Sequence, residues 1–468
     1  MKYTEETGDK SSLATLTVDF GSYKVATAIG CMQEDGKLKV YGTGSASSTG
    51  MKKGEFINIQ KASHDLKIAL NESIRMSGLN PTTANVSISG ASVDSTTSRG
   101  FIKIVNNEIS EGDIDRAISA AIYNAEIPTD CKIIHQFPFN FKIDGSTIVD
   151  NPIGMYAQKL SVEIYIVYTS FSNYLNIEKV LQKAGLVLGE ISLSTYASFI
   201  SNKHAIVDEH RATVLIDMGS DSCSSIVVRN SSAEYTGFLG IGSSHITSDI
   251  SSALRVSKPT AELIKKEHSS LYVEDAVGII EVDSRGHESS IRRYDVSDVQ
   301  EIIFLRVEET LHLLLENITN RFDIDDIGTI ILTGGYANIP GIRDLAQNII
   351  PEIPVVISHP KSSTVDEFGP EMSVVLGLLA SSSAKVSCSS DERFIVPPAG
   401  SLIPNKVVDK SNDLSDLSLP NRESFIPTDV GIKDDPVDFN SLFKNLDSTE
   451  KVPLTLAESI KSFFNKLF

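Results

Sequence analysis

The chain has 468 residues, 41 % of them hydrophobic, which at ~150 residues per domain allows about three domain-sized units with a sizeable core. Its net charge of −19 repels a phosphate backbone and predicts no nucleic-acid partner. The four cysteines (Cys31, Cys131, Cys223, Cys388) lie far apart without CxxC spacing, which predicts free thiols in a reducing compartment and excludes a disulfide frame or zinc site. The opening MKYTEETGDKSS is polar and predicts no signal peptide, and no apolar run is long enough to cross a bilayer as a helix.

Hydrophobic patterning predicts a mixed α/β protein. Strand-like runs occur at Ala14–Asp19, Lys24–Gly30, Val86–Ser89, Glu163–Tyr168, Thr213–Asp217, Ser225–Val228 and Thr329–Leu332. Helical spacing occurs at Ile59–Ser77, Asp113–Ala125, Tyr174–Ala184, Lys258–Lys266 and Val299–Arg321. Composition changes near residue 385. Residues 391–450 hold 12 acids, 6 bases and 6 prolines without periodicity, which predicts an acidic, disordered linker over 386–453. Helical spacing returns over 454–468. There Leu456, Ile460, Phe463, Phe464, Leu467 and Phe468 share one face, and Lys461 and Lys466 lie on the other. A helix closing the core is one reading of that stripe. The long acidic linker before it favours an amphipathic helix on an anionic membrane surface.

One internal echo points to chemistry. LTVDFGSYKVATAI (16–29) and LIDMGSDSCSSIVV (215–228) each run from an apolar strand through Asp, an apolar residue, Gly and Ser into a second strand. A single such turn is common, because Asp and Gly favour turns; the pair suggests a duplicated domain whose halves face each other. A phosphate needs close backbone donors, hydroxyls and a cation. Gly21 and Gly219 allow the approach, Ser22 and Ser220 offer hydroxyls, and Lys24 offers a point charge. Asp19 and Asp217 would face each other and hold Mg²⁺ through water. A third element, the apolar strand Thr329–Leu332 running into Gly334-Gly335, would let backbone lie against a base or α-phosphate.

Three such elements in this order resemble the actin-like ATPase superfamily, with two phosphate hairpins and an adenosine loop. Further segments resemble the bacterial cell-division FtsA family within it. They are Gly50-Met51-Lys52-Lys53-Gly54, Val86–Gly90, Asn151–Met155, Glu178–Leu186, Ser194–Ser198 and Thr247–Ile250. The resemblance spans about residues 15–385 and the terminal helix. It implies an actin-like fold of two lobes with duplicated ribonuclease-H-like subdomains, in which a subdomain 1C replaces actin's 1B. The implied order is 1A at 13–85, the 1C insert at 86–168, 1A again at 169–210, 2A at 211–239, 2B at 240–322, and 2A returning to 1A at 323–385.

The resemblance implies ATP and Mg²⁺ as ligands, with Glu262 and Lys265 holding the ribose; on spacing alone these two are an i,i+3 surface pair. It also implies that Arg306 and Glu309 on 2B take the C-terminal peptide of FtsZ. A further arginine of that surface falls on Val296 here, with Arg292 and Arg293 nearby. The insert would serve self-association into filaments and contacts with later division proteins. The family's Gly-Gly-Thr in the second phosphate loop is replaced by Ser220-Asp221-Ser222. A carboxylate near polyphosphate implies at most weak hydrolysis, and Asp217 and Asp221 are the candidate catalytic residues by position alone. The implied function is an ATP-binding polymer that tethers FtsZ to the inner membrane, as a peripheral protein on its cytoplasmic side at the division septum. The alternatives are another actin-like assembly protein, for pili or cell shape, and a sugar kinase or polyphosphatase of the superfamily. No HExxH, Walker A, G-x-S-x-G or dinucleotide fingerprint occurs.

Overall fold

Two five-stranded sheets are built to one plan. In the first, β1 (Thr15–Phe20), β2 (Lys24–Met32) and β3 (Leu38–Ser47) form an antiparallel meander. β6 (Thr83–Ile88) and β11 (Val187–Leu193) then join β1 in parallel, giving the order β11-β6-β1-β2-β3. In the second, β12 (Ala212–Met218), β13 (Cys223–Arg229) and β14 (Ser232–Leu239) repeat the meander. β17 (Ile327–Thr333) and β18 (Val355–Ile357) extend it in parallel on the other side of β12. This is the duplication that the Asp-x-Gly-Ser echo predicts. Every residue of β17 is buried, as is each of β12 except Asp217, as expected for interior strands covered on both faces. The computed structural model describes residues 14–33, 35–145, 147–283, 291–364 and 368–383, all within one unit of the chain, Met1–Leu402.

The helices that frame the first sheet have clear stop signals. α1 (Ile59–Ser77) has the bounds its periodicity predicts. It starts at Asn58, whose side chain accepts the Lys61 N–H at 2.9 Å, and stops at Gly78 in a left-handed conformation. A small hairpin of β4 (Met51–Lys52) and β5 (Glu55–Phe56) precedes it. α3 (Phe171–Ala184) is capped by Ser170 and stopped by left-handed Gly185. α4 (Ser194–Asn202) leads from the first sheet into the second. After the second sheet, α9 (Ser373–Ser383) returns to the first: Thr17 Oγ1 donates to the Val375 carbonyl at 2.9 Å. There Leu376 and Leu379 share a core with Ala26, Ala28, Leu38 and Val40.

The segment between β6 and α3 is a separate four-stranded sheet. It comprises β7 (Asp94–Lys103), β8 (Cys131–Ile143), β9 (Thr147–Val149) and β10 (Lys159–Ser170), in the order β7-β10-β8-β9. α2 (Glu111–Asn124) closes its own core with Ile114, Ala117 and Ala121 against Val162, Ile164 and Ile166. Ser110 and Asp113 form a reciprocal cap at the start of α2, and this bonding holds the Asp113 carboxyl at about 2. At the seam with the first sheet, His135 Nε2 accepts the Leu193 N–H at 2.8 Å between Phe137 and Tyr196. Burial depresses His135 to about 3, so it is neutral.

Between β14 and β17 lie α5 (Ser243–Ala253), α6 (Lys258–His268), the hairpin β15 (Ile279–Asp283) and β16 (Ile291–Asp295), and the long α7 (Val296–Thr319). Val299, Ile303, Val307, Leu311 and Ile318 form the buried stripe of α7. α8 (Ile342–Ile349) lies between β17 and β18. Val296, where the family resemblance places an arginine, is a buried apolar residue. Cys31, Cys131 and Cys223 are free thiols. No described helix is long and apolar enough to cross a membrane. Cys388, the linker expected at 386–453 and the helix expected at 454–468, with Leu456, Ile460, Phe463, Phe464, Leu467 and Phe468, lie outside the described residues.

Candidate nucleotide cleft

The two hairpins turn in the same way. Phe20 pairs with Val25 and Met218 with Cys223, so Gly21–Lys24 and Gly219–Ser222 occupy equivalent turns. A β-carbon on Gly21 would lie 2.8 Å from the Lys24 carbonyl oxygen, and one on Gly219 2.8 Å from that of Ser222. The same contact therefore demands glycine in both.

Two residues before each turn stands an aspartate held by a serine from a neighbouring element. Ser87 Oγ, on β6, donates to Asp19 Oδ1 at 2.6 Å. Ser198 Oγ, on α4, donates to Asp217 Oδ2 at 2.6 Å. Burial raises the pKa of both carboxyls. Lys24 partly offsets this for Asp19, whereas the charge of Asp19 adds to the rise at Asp217, which reaches about 6. The charge of Asp19 thus acts on the Asp217 carboxyl. A carboxylate whose ionisation a neighbouring carboxylate opposes is a place where a cation is welcome. Among the described residues no group of three or more His, Cys, Asp or Glu could hold a metal. Two carboxylates alone suit a hydrated Mg²⁺ whose remaining ligands are water and phosphate.

Lys24 and Gly334 lie beside this pair. Lys24 Nζ lies 3.8 Å from Met372 Sδ, a weak acceptor that uses little of its donor capacity. Thr333 pairs with Asp217 in the parallel β12–β17 ladder, which brings the following Gly334 onto the Asp217 carboxylate. Gly334 has φ +88°, and Gly335 opens the next short helical turn, Gly335–Asn338. Lys265 and Glu262 pair at 2.7 Å. Lys265 is only 9 % exposed, so this is no surface pair. It also donates to Thr247 Oγ1 at 3.0 Å, and Thr247 Oγ1 donates to Glu262 Oε2 at 2.5 Å.

Asp221 is engaged by neighbouring donors. Its Oδ2 accepts the Lys53 N–H at 3.2 Å, across the cleft, and Ser220 Oγ donates to its Oδ1 at 3.5 Å. Ser22 Oγ accepts the adjacent Gly54 N–H at 3.0 Å. The turn at residues 50–54 therefore touches both hairpin turns. A second bridge is Lys266 Nζ donating to Tyr23 Oη at 2.9 Å. Away from the crevice, Arg306 pairs with Glu309 on α7 and with Asp249 on α5. Sequence reasoning gave no role to Ser87, Ser198 or Thr247, although each lies in a segment that carried the family resemblance.

The chain matches the family described as "Cell division protein FtsA" over residues 214–377, and "SHS2 domain inserted in FTSA" over residues 90–168. It is 31 % identical over 401 residues to the cell division protein FtsA of Helicobacter pylori strain J99, covering 77 % of this chain and 80 % of that one. The chain belongs to the FtsA family. FtsA of Borreliella burgdorferi is 30 % identical, with 77 % of this chain and 89 % of that one covered, and FtsA of Bacillus subtilis is 28 % identical, with 72 % and 76 % covered. Among solved structures, the PilM–PilN type IV pilus biogenesis complex aligns with a TM-score of 0.57 at 14 % identity, covering 79 % of this chain and 98 % of that one. That is a likeness of fold, and it agrees with the actin-like architecture of an FtsA. The four-stranded sheet with α2 is the SHS2 insert of the family, the element expected as subdomain 1C.

Proposed function

We propose that this FtsA-family chain binds Mg–ATP between its two hairpins, self-associates into filaments and ties FtsZ to the cytoplasmic face of the inner membrane at the division septum. The observation that carries the reading is the pairing of Asp19 and Asp217, each set by a serine at 2.6 Å and coupled through charge. When bound, Mg²⁺ would neutralise polyphosphate charge between these carboxylates. Ser22, Ser220 and Lys24 would hold the phosphates, Glu262 and Lys265 the ribose, and Gly334 and Gly335 the base side. Asp221, whose Oδ2 accepts the Lys53 N–H, supports a binding role over fast hydrolysis.

Arg306 and Glu309 would take the FtsZ C-terminal peptide, and the SHS2 insert would meet later division proteins. The sequence of 454–468 supports membrane attachment: Leu456, Ile460, Phe463, Phe464, Leu467 and Phe468 give one apolar face. At ~1.5–3 kcal/mol per large side chain, less its ordering cost, one such helix binds reversibly. Many copies on a filament bind firmly through effective concentration. The test is pelleting with anionic liposomes, using the full chain and a chain ending at Val452, with and without Mg–ATP and with FtsZ added. The full chain is expected to carry FtsZ into the pellet, more so with ATP, and the shortened chain to leave it in solution. Equal pelleting of both removes the tether, and no calorimetric affinity for ATP removes the cleft assignment.

A further inference from the structure

Arg306 is already occupied. Its Nε donates to Asp249 Oδ2 at 2.6 Å and its Nη2 to Asp249 Oδ1 at 3.1 Å, a two-pronged grip on one carboxylate. Its Nη1 donates to Glu309 Oε2 at 2.5 Å. The side chains of Arg306, Asp249 and Glu309 are 25 %, 27 % and 39 % exposed, so the cluster can be reached from solvent. A partner's carboxylate arriving at Arg306 meets a site whose best edge is filled by a carboxylate of the chain itself.

Asp249 sits on a helix that is tied to the nucleotide cleft. At the start of α5 the Ser243 N–H donates to the Gly219 carbonyl at 3.1 Å and the Ser244 N–H to the Ser220 carbonyl at 2.7 Å. Both carbonyls belong to the second phosphate turn. One turn further on, Thr247 holds Glu262 and Lys265, and Lys265 Nζ also donates to the Ser243 carbonyl at 3.2 Å. Ile246 and Ile250 are fully buried beneath the helix. At a rise of ~1.5 Å per residue, Ser244 and Asp249 are less than ~10 Å apart along one rigid element. A shift of the second phosphate turn therefore moves the carboxylate that grips Arg306.

We propose that Asp249 is an internal competitor for Arg306, standing where a carboxylate of the docking peptide binds, and that α5 withdraws it when Mg–ATP draws in the second phosphate turn. This rests on the reading of Arg306 and Glu309 as the peptide site. The partner it fits is an acidic peptide, since Asp249 itself displays the chemistry that Arg306 accepts.

The test is fluorescence anisotropy of a labelled FtsZ C-terminal peptide titrated with the full chain, with and without Mg–ATP. Asp249→Asn keeps the shape and removes the charge. Without nucleotide it is expected to bind the peptide about tenfold more tightly than the unaltered chain, a typical size for a close charge pair. ATP is expected to tighten binding to the unaltered chain and to add less than about twofold to the variant. A variant that binds no more tightly, or that keeps the full ATP effect, overturns the inference. Failure of both chains to bind the peptide in either state instead removes the docking reading itself. Hydrogen exchange on the unaltered chain gives a second arm that needs no substitution. Exchange across 243–253 is expected to change on adding Mg–ATP and on adding peptide, and no change with either overturns the coupling.

Discussion

The α-carbon of Gly334 stands against the carboxylate of Asp217: a β-carbon at Gly334 would lie 2.5 Å from Oδ1 and 2.5 Å from the Met218 carbonyl oxygen. The backbone there is also left-handed, at φ +88°. Gly334→Ala thus meets a steric and a conformational obstacle at once. Destabilisation on the order of 2 kcal/mol is expected, together with loss of ATP binding, because the displaced groups are the Asp217 carboxylate and the turn behind it. Gly335→Ala is the control, since its β-carbon would find nothing nearer than Glu371 Cβ at 3.7 Å. Equal melting of the two variants would reject this account.

Asp217 gives the protein a pH signature when no metal or nucleotide is added. Its carboxyl titrates at about 6, above the ordinary 3.8, through burial and the charge of Asp19. The folded state therefore holds this proton more tightly than the unfolded state. Stability from this group is complete below ~4 and falls as pH rises through about 6. Asp217→Asn removes that loss. Without metal at pH 7 it is expected to be more stable on the order of 2 kcal/mol, with the difference vanishing near pH 4. Mg–ATP is expected to stabilise only the unaltered protein. Melting curves of both chains across this range settle the matter, and parallel profiles would contradict it.

Much of this architecture is legible in residue order because local and global signals agree. The Asp-x-Gly-Ser turns and the Asn58 and Gly78 caps each carry their own chemistry. α4, α5 and α9 are less visible. They are rich in serine, and each is stabilised by contacts remote in sequence. The positions of Ser87 and Ser198 are hidden for the same reason, since a serine shows its role only when the fold brings a carboxylate to it. The pairing of Glu262 with Lys265 is readable from spacing. The burial of Lys265 is not, because α5 supplies the cover through Ser243 and Thr247.

That buried lysine makes Lys265→Met a sharp probe. The substitution keeps the stem and removes the charge that Glu262, Thr247 and Ser243 share. Glu262 is left partly buried beside a hydroxyl, so destabilisation of about 2 kcal/mol is expected, below the range for a deeply buried pair. ATP affinity is expected to fall at least about tenfold, whereas inorganic triphosphate, which lacks the ribose, is expected to bind unchanged. An equal loss for both ligands would place Lys265 outside the ribose contact.

Asp221 is the residue that most separates this chain from the usual second phosphate loop. Its carboxylate spans the cleft to the Lys53 N–H at 3.2 Å, and Lys266 spans it again to Tyr23 at 2.9 Å. Both bridges are exposed, so each is worth little alone, roughly 1 kcal/mol or less. Together they bias the two lobes toward closure over bound nucleotide. Asp221→Ala is expected to speed nucleotide release about threefold, and Asp221→Ala with Tyr23→Phe about tenfold, with association rates nearly unchanged because the loops that contact phosphate remain. Stopped-flow displacement of a fluorescent ATP analogue measures both rates. Were Asp221 instead a catalytic base, its removal would lower hydrolysis per bound nucleotide while leaving release unaltered. Faster release with unaltered single-turnover hydrolysis is the outcome that identifies Asp221 as a clasp.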